Sequence, residues 1–196
     1  MTDEPGYVFA HAEEEEERLR LRSIEAWLDP FTVRHLESTG VRSDWRCLDV
    51  GAGAGSIAHW LGERVGANGT VVALDMDTRY LTDLPPNVEV RRQELRNAEL
   101  DVDAYDLVHA RGLLQHLPDP AAGLAQIAAA VAPGGWLLVE EADLGSIHLS
   151  GSSAAASATT VFHDLRTRLD AAGVIHSRSG RELPGPVRPN NAISKG

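Results

Sequence analysis

The sequence predicts an α/β fold: a doubly wound, mostly parallel sheet of about five strands, preceded by an N-terminal helical extension. Three observations predict it. From Trp45 onward, short apolar runs alternate with helical or turn-rich stretches, the pattern that βαβ units produce. The first run leads into "CLDVGAGAGS", Cys47 to Ser56, with glycine at 51, 53 and 55. Glycine is the most costly residue to order, so a tight strand-to-helix turn accounts for one of these but not all. The second run ends in an acid, Asp75, about 20 residues past the glycine turn.

Taken in order, His11 to Leu28 reads as an amphipathic helix, with Leu21, Ile24 and Leu28 at helical spacing. Glu14–Arg18 and Glu16–Arg20 are four apart with glutamate first, the favourable order. The run Glu13 to Glu17 fits a solvated helix face. Asp29-Pro30 is expected to restart a second short helix that Gly40 ends. Strands are expected at Trp45–Val50, Thr70–Leu74, Val88–Val90, Tyr105–His109 and Trp136–Val139. Between them lie helical or turn-rich stretches at Ser56–Val65, Thr78–Leu84, near Leu113 and at Pro120–Val131. "ANGT" at Ala67–Thr70 and "APGG" at Ala132–Gly135 punctuate returns from helix to strand. A last helix, about Ser153 to Ala172, carries Val161, Leu165 and Leu169 as its apolar stripe, with Gly173 as its stop. The tail after it, with proline at 184, 186 and 189, reads as loop or disorder.

Composition narrows the function classes. The chain has 196 residues, long enough for one well-buried core, and 43% hydrophobic with 24% charged residues fits a globular protein. No apolar run approaches the ~20 residues of a membrane span, and the glutamate-rich N-terminus is unlike a secretory signal; the cytoplasm is the expected compartment. A net charge of −11 argues against a nucleic-acid partner. The single cysteine, Cys47, excludes an internal disulfide and a cysteine-based metal cluster, and its apolar surroundings predict a buried, inert thiol. No metal site is expected.

In a doubly wound sheet, ligands bind outside the carboxyl ends of the strands beside the first. Missing side chains at the glycine turn are expected to let backbone N–H groups contact a ligand, and Asp75 is placed to accept hydrogen bonds from ribose hydroxyls. Together these point to an adenosine-containing ligand. The spacing is G-x-G-x-G with Ser56 where a dinucleotide fingerprint has its third glycine, and no P-loop motif exists. Asp49 would repel a pyrophosphate but suits a ligand with a cationic end.

With these features the sequence resembles the class I S-adenosylmethionine-dependent methyltransferases, in the branch acting on small molecules, over roughly Tyr7 to Asp143. "LDVGAGAGS" is similar to the family's first motif and "VVALDMD" to its ribose-binding acid. "VEVRRQEL", "YDLVHARGLLQHLPDP" and "APGGWLLVEE" look like its third, fourth and fifth strands. The resemblance implies a Rossmann-like fold, S-adenosyl-L-methionine as cofactor and a small-molecule methyl acceptor. It implies that Gly51, Ala52, Gly53 and Gly55 wrap the methionine end, with Asp49 near the amino group. Asp75 would hold the ribose and Met76 pack on adenine, with Glu94 and Leu95 at the adenine edge; the family usually has aspartate where Glu94 stands. His109, Ala110 and Arg111 would lie beside the sulfonium and the substrate entrance. It also implies a division into an N-terminal cap at 1–40, closing over the cofactor, a cofactor-binding core at 41–143, a substrate-cap loop and helix at 144–173, and a proline-rich tail at 174–196.

Methyl transfer needs positioning and desolvation more than protein chemistry, although a weakly acidic hydroxyl acceptor would need a base. His116 is the best-placed histidine, against a structural role in fixing the following turn. Glu140, Glu141 and Asp143 could take a proton or bind a cation, or be solvated loop acids; nothing fixes the position of His148 or His163. The family's final antiparallel hairpin has no counterpart in the apolar pattern after Gly173, so truncation at the C-terminus is the expectation. "WLLVE" would then be an exposed edge strand through which a homodimer could form. Leaving ~300 Å² of apolar surface uncovered would cost roughly 7 kcal/mol at 25 cal/mol per Å². Two other functions remain open: a non-catalytic or degenerate S-adenosylmethionine-binding fragment, and an NAD-dependent oxidoreductase, against which Ser56 and Asp49 argue.

Overall fold

The computed structural model describes residues 14–146, 153–172, 176, 177 and 180. Nine regular elements follow one another: α1 (Glu14–Ser38), β1 (Arg46–Val50), α2 (Ser56–Val65), β2 (Thr70–Asp75), β3 (Val88–Arg92), β4 (Tyr105–Arg111), α3 (Pro120–Ala129), β5 (Val131–Glu140) and α4 (Ser153–Ala171). Short 3₁₀ turns at Thr78–Tyr80, Leu95–Asn97 and Leu114–His116 stand in the connections. The strands form one sheet in the order β3-β2-β1-β4-β5, every neighbouring pair parallel. The α/β doubly wound expectation holds. The order reverses between β1 and β4, which puts the carboxyl ends of β1, β2 and β4 around one crevice.

Alternation along each strand divides the core in two. Leu48, Val50, Val108 and Ala110 pack toward α3 with Leu95, Leu114 and Ile127. Cys47, Val71, Ala73 and Leu107 pack on the other face with Ile57, Ala58, Leu61 and Val65 of α2 and Leu36 of α1. Cys47 is fully buried, and burial pushes its thiol up to about 12, as an inert cysteine requires. Local chemistry explains the start of α3: Asp119 accepts from the Ala122 N–H at 2.9 Å, with Pro120 in the first turn.

Three sequence expectations are corrected. Residues 11–28 and the segment after Pro30 are not two helices; α1 runs unbroken from Glu14 to Ser38 with Pro30 inside it. Proline costs one backbone hydrogen bond, but polar contacts of Asp29, Thr32 and His35 hold the helix on the sheet on both sides of it. "APGG" does not precede β5 but lies within it: Tyr105 pairs with Val131 and Leu107 with Trp136, so the ladder accommodates a bulge there. Gly134 has φ +82°, and a Cβ at Gly135 would come within 2.9 Å of the Asp106 carbonyl. Nor is the glutamate run wholly solvated, since Glu17 is buried and takes a bidentate pair from Arg20 at 2.7 Å.

β5 ends the sheet order, and no strand among the described residues pairs with its outer edge. The tail lies outside the described residues apart from positions 176, 177 and 180; there Ser177 N donates to Asp170 of α4 at 2.8 Å and His176 N to the Gln115 carbonyl at 2.8 Å. Among the described residues no helix is long and apolar enough to cross a membrane, and no group of acids, histidines and cysteine is arranged to hold a metal ion.

Candidate functional site

The glycine turn sits at the carboxyl end of β1, where Gly51, Gly53 and Gly55 all take positive φ (+74°, +60° and +91°). That backbone is why glycine is needed at each. Most of its amides are used internally. Gly51 N and Ala52 N donate to the Leu74 carbonyl at 2.8 and 3.2 Å, and Gly53 N donates to Asp75 Oδ2 at 2.8 Å. Ser56 N, at the start of α2, donates to Glu25 of α1 at 3.1 Å. At these positions the turn offers bare surface rather than N–H groups. Side chains of other segments stand over it: a Cβ at Gly51 would lie 3.2 Å from Leu113, and one at Gly53 would lie 3.5 Å from Leu21.

Beside the turn, a charged row crosses three strands on the α1–α2 face. Asp49 of β1 and His109 of β4 are register partners, and His109 Nδ1 stands 2.7 Å from Asp49 Oδ1. Its Nε2 is 3.4 Å from Glu140 Oε2, at the end of β5. His109 and Asp49 are buried, at 1% and 2% exposure, and Glu140 is half-buried. Burial disfavours an imidazolium, but the hydrogen bonds and charges of Asp49 and Glu140 outweigh it and raise His109 to about 9. Burial likewise disfavours ionised Glu140, yet hydrogen bonds from His109, Thr32 and His35, with the charge of His109, bring it down to about 2. Asp49 Oδ2 is buried with no hydrogen-bond partner. A carboxylate oxygen so placed is an unmet demand for a donor.

α1 closes this edge with a polar residue at each turn. Asp29 accepts from Arg111 Nη1 at 2.9 Å and from Ser56 Oγ at 3.1 Å. Thr32 Oγ1 accepts from Arg111 at 2.9 Å, and His35 Nδ1 meets Glu140 Oε1 at 2.7 Å. A cavity of about 300 Å³ opens between α1, the start of α2 and the β2–β3 connection, lined by Arg18, Arg22, Glu25, Gly55, Tyr80 and Asp83; Asp49, Asp75, Met76, Glu94 and Leu95 lie outside it.

The remaining predicted residues divide. Asp75 ends β2 half-buried; burial raises its carboxyl, while the N–H groups of Asp77 (2.9 Å) and Gly53 counter that. Met76 beside it is 42% exposed. Glu94 is held by Arg96 at 2.7 Å and Asn97 at 3.3 Å. Leu95 and Ala110 are core residues on the α3 face, whereas Arg111 turns to α1. His116 is half-buried, and desolvation, with Arg20 nearby, lowers it to about 4, which keeps it neutral. Glu140 and Glu141 are not solvated loop acids: Glu141 accepts from the N–H groups of Leu113, Leu114 and Gln115 at 2.8, 2.7 and 3.3 Å. His163 lies on α4, and His148 falls outside the described residues. Sequence reasoning missed the row itself and the α1 side chains that meet it. A signal was present: "CLDV" and "LVHA" each set one side chain that can be charged near neutral pH, Asp49 and His109, inside an apolar run.

The family profile described as a methyltransferase domain matches residues 12–185. The chain belongs to that family. A methyltransferase of Strobilurus tenacellus, str2, is 31% identical to this methyltransferase-domain chain over 131 residues, 66% of this chain and 47% of that protein. The ubiquinone biosynthesis O-methyltransferase of Aeromonas salmonicida is 33% identical over 118 residues, 50% of this chain and 48% of that protein. Among solved structures, a SAM dependent methyltransferase from Aquifex aeolicus superposes with a TM-score of 0.55 at 20% identity, covering 80% of this chain and 87% of that one. The fold is thus that of the class I S-adenosylmethionine-dependent methyltransferases. The methyltransferase-domain chain spans about half the length of the Strobilurus and Aeromonas proteins.

Proposed function

We propose that this methyltransferase-domain chain binds S-adenosyl-L-methionine over the glycine turn and directs its methyl group to a small-molecule acceptor. The observation that carries the reading is the orphaned, buried Asp49 Oδ2 beside three glycines held at positive φ. It is an anionic acceptor lacking a donor, next to main chain stripped of side chains. Those residues fit the methionine end of the cofactor, whose ammonium would supply that donor. Asp75, with one N–H on each oxygen, keeps lone pairs for the ribose hydroxyls. Met76 is exposed at the strand end where adenine would stack, with Glu94 and Leu95 at its edge and Ala110 and Arg111 at the end of β4.

When bound, the cofactor supplies an activated methyl on sulfur. The chain's own part is to hold, orient and exclude water. α1, fixed by Asp29, Thr32 and His35, covers the carboxyl edge, and Leu21 and Leu113 over the turn would yield to the ligand. The cap at 1–40 and the core at 41–143 are the units of this reading. His116, lowered to about 4 by desolvation and so a weak base, carries no base role in it; proton removal from an acceptor is left to the acceptor's own acidity.

Calorimetric titration with S-adenosylmethionine tests the reading. Binding is expected in the full chain and should weaken by roughly 1–3 kcal/mol in Asp75→Ala, through lost charge-assisted hydrogen bonds. Demethylated cofactor should accumulate when a panel of phenols, carboxylic acids and amines is offered. No binding by a folded chain, or tight NAD binding in its place, overturns the proposal.

A further inference from the structure

We propose that the outer face of α1 is a self-association surface on which two copies of this chain pair antiparallel. The helix buries one side on the sheet and leaves the other to solvent, where an ordinary surface helix would be polar. Here Leu19, Trp27 and Phe31 are 58%, 72% and 51% exposed, with Ser23, Ala26 and Pro30 exposed between them. This apolar stripe ends in opposite charges. Glu16 lies before it and Arg34 after it, both exposed, and neither has an ion-pair partner among the described residues. Glu16 and Arg34 are 18 residues apart, about five turns at 3.6 residues per turn, so they lie on one line of the helix about 27 Å apart.

A stripe with an acid at one end and a base at the other is self-complementary when reversed. A two-fold axis at Glu25 sets Glu16 against the partner's Arg34, Leu19 against the partner's Phe31, and small Ser23 against the partner's Trp27, with each contact repeated by symmetry. Parallel pairing would instead set like charges together. Anionic lipid is disfavoured as occupant by the glutamates at the stripe's start and the net charge of −11. One helix face buries less than the ~800 Å² per partner of a standard interface, so the dimer forms at micromolar concentration or above.

Sedimentation velocity of the full chain over a concentration series is the test. The wild type should move from monomer to dimer as concentration rises. Trp27→Glu, Glu16→Arg and Arg34→Glu should each weaken association by about tenfold or more, because each sets like charges together or buries one. Glu16→Arg combined with Arg34→Glu should restore it. The two positions cannot meet within one chain, so restoration reports contact between copies. All these positions are exposed, and circular dichroism checks that each variant folds. A wild type that stays monomeric throughout overturns the proposal. So does a dimer indifferent to these variants, including one lost only on Leu138→Lys at the β5 edge, and so does a double variant no better than the single ones.

Discussion

His109 is surrounded by apolar strand residues, and burial alone would keep its imidazole neutral. Two carboxylates decide otherwise: Asp49 at 2.7 Å and Glu140 at 3.4 Å raise it to about 9. Removing the cation leaves buried Asp49 without a partner, while Glu140 keeps Thr32 and His35. Breaking a buried pair is typically worth about 3–5 kcal/mol. His109→Gln is therefore expected to lower unfolding free energy by about that amount in urea titrations at pH 7. A loss under 1 kcal/mol would show the row to be decorative. Gly53 tests the turn differently. Its φ of +60° resists any side chain, and a Cβ there would stand 3.5 Å from Leu21. Gly53→Val should abolish cofactor binding through occupied space, while Gly134→Ala, equally at positive φ (+82°) but with nothing within 4 Å, should leave binding intact. Equal binding in both variants would separate the turn from the ligand.

Among the elements, the strands were legible because each apolar run lies between turn residues, and β2 extends the expected Thr70–Leu74 by only Asp75. α1 was less legible. Proline and a preceding acid form a strong local start signal, and only the tertiary contacts at Asp29, Thr32 and His35 override it. The bulge in β5 was hidden for the same reason, since nothing local says that a glycine pair stays inside a ladder. The charged row joins residues 60 apart in sequence, Asp49 and His109, and only strand order brings them together. Glu141 shows how an element depends on one side chain. Its carboxylate takes three N–H groups of the turn after β4, and Glu141→Ala would leave them without partners. The cost should be about 1–3 kcal/mol, with faster hydrogen exchange confined to 113–115. Unchanged exchange there would mean water replaces the carboxylate.

At the scale of the molecule, His109 and His116 pull stability in opposite directions with pH. His109 is raised from 6.5 to about 9, so the folded state binds its proton more tightly than the unfolded chain. Its contribution is complete below pH 6.5 and is lost as pH rises through 9. His116 is lowered from 6.5 to about 4, so its contribution is complete above pH 6.5 and is lost as pH falls through 4. Glu140, lowered from 4.5 to about 2, adds a further loss below pH 4.5. Glu25, Asp75 and Glu141 are raised by burial and oppose the acid limb. The sum is a dome with its maximum near pH 6.5, each histidine limb on the order of 3 kcal/mol at 1.36 kcal/mol per pKa unit. Urea midpoints across the pH range should show it. His109→Gln should remove the loss between pH 6.5 and 9 and also shrink Glu140's share of the acid limb, whereas His116→Gln should flatten only the acid limb. Above pH 9 the buried Cys47 thiol, raised to about 12, adds a loss of its own. The deciding window is therefore pH 6.5 to 9: a loss there that survives His109→Gln would mean that His109 is neutral in the fold, and the ion row would have to be redrawn as a hydrogen-bonded pair.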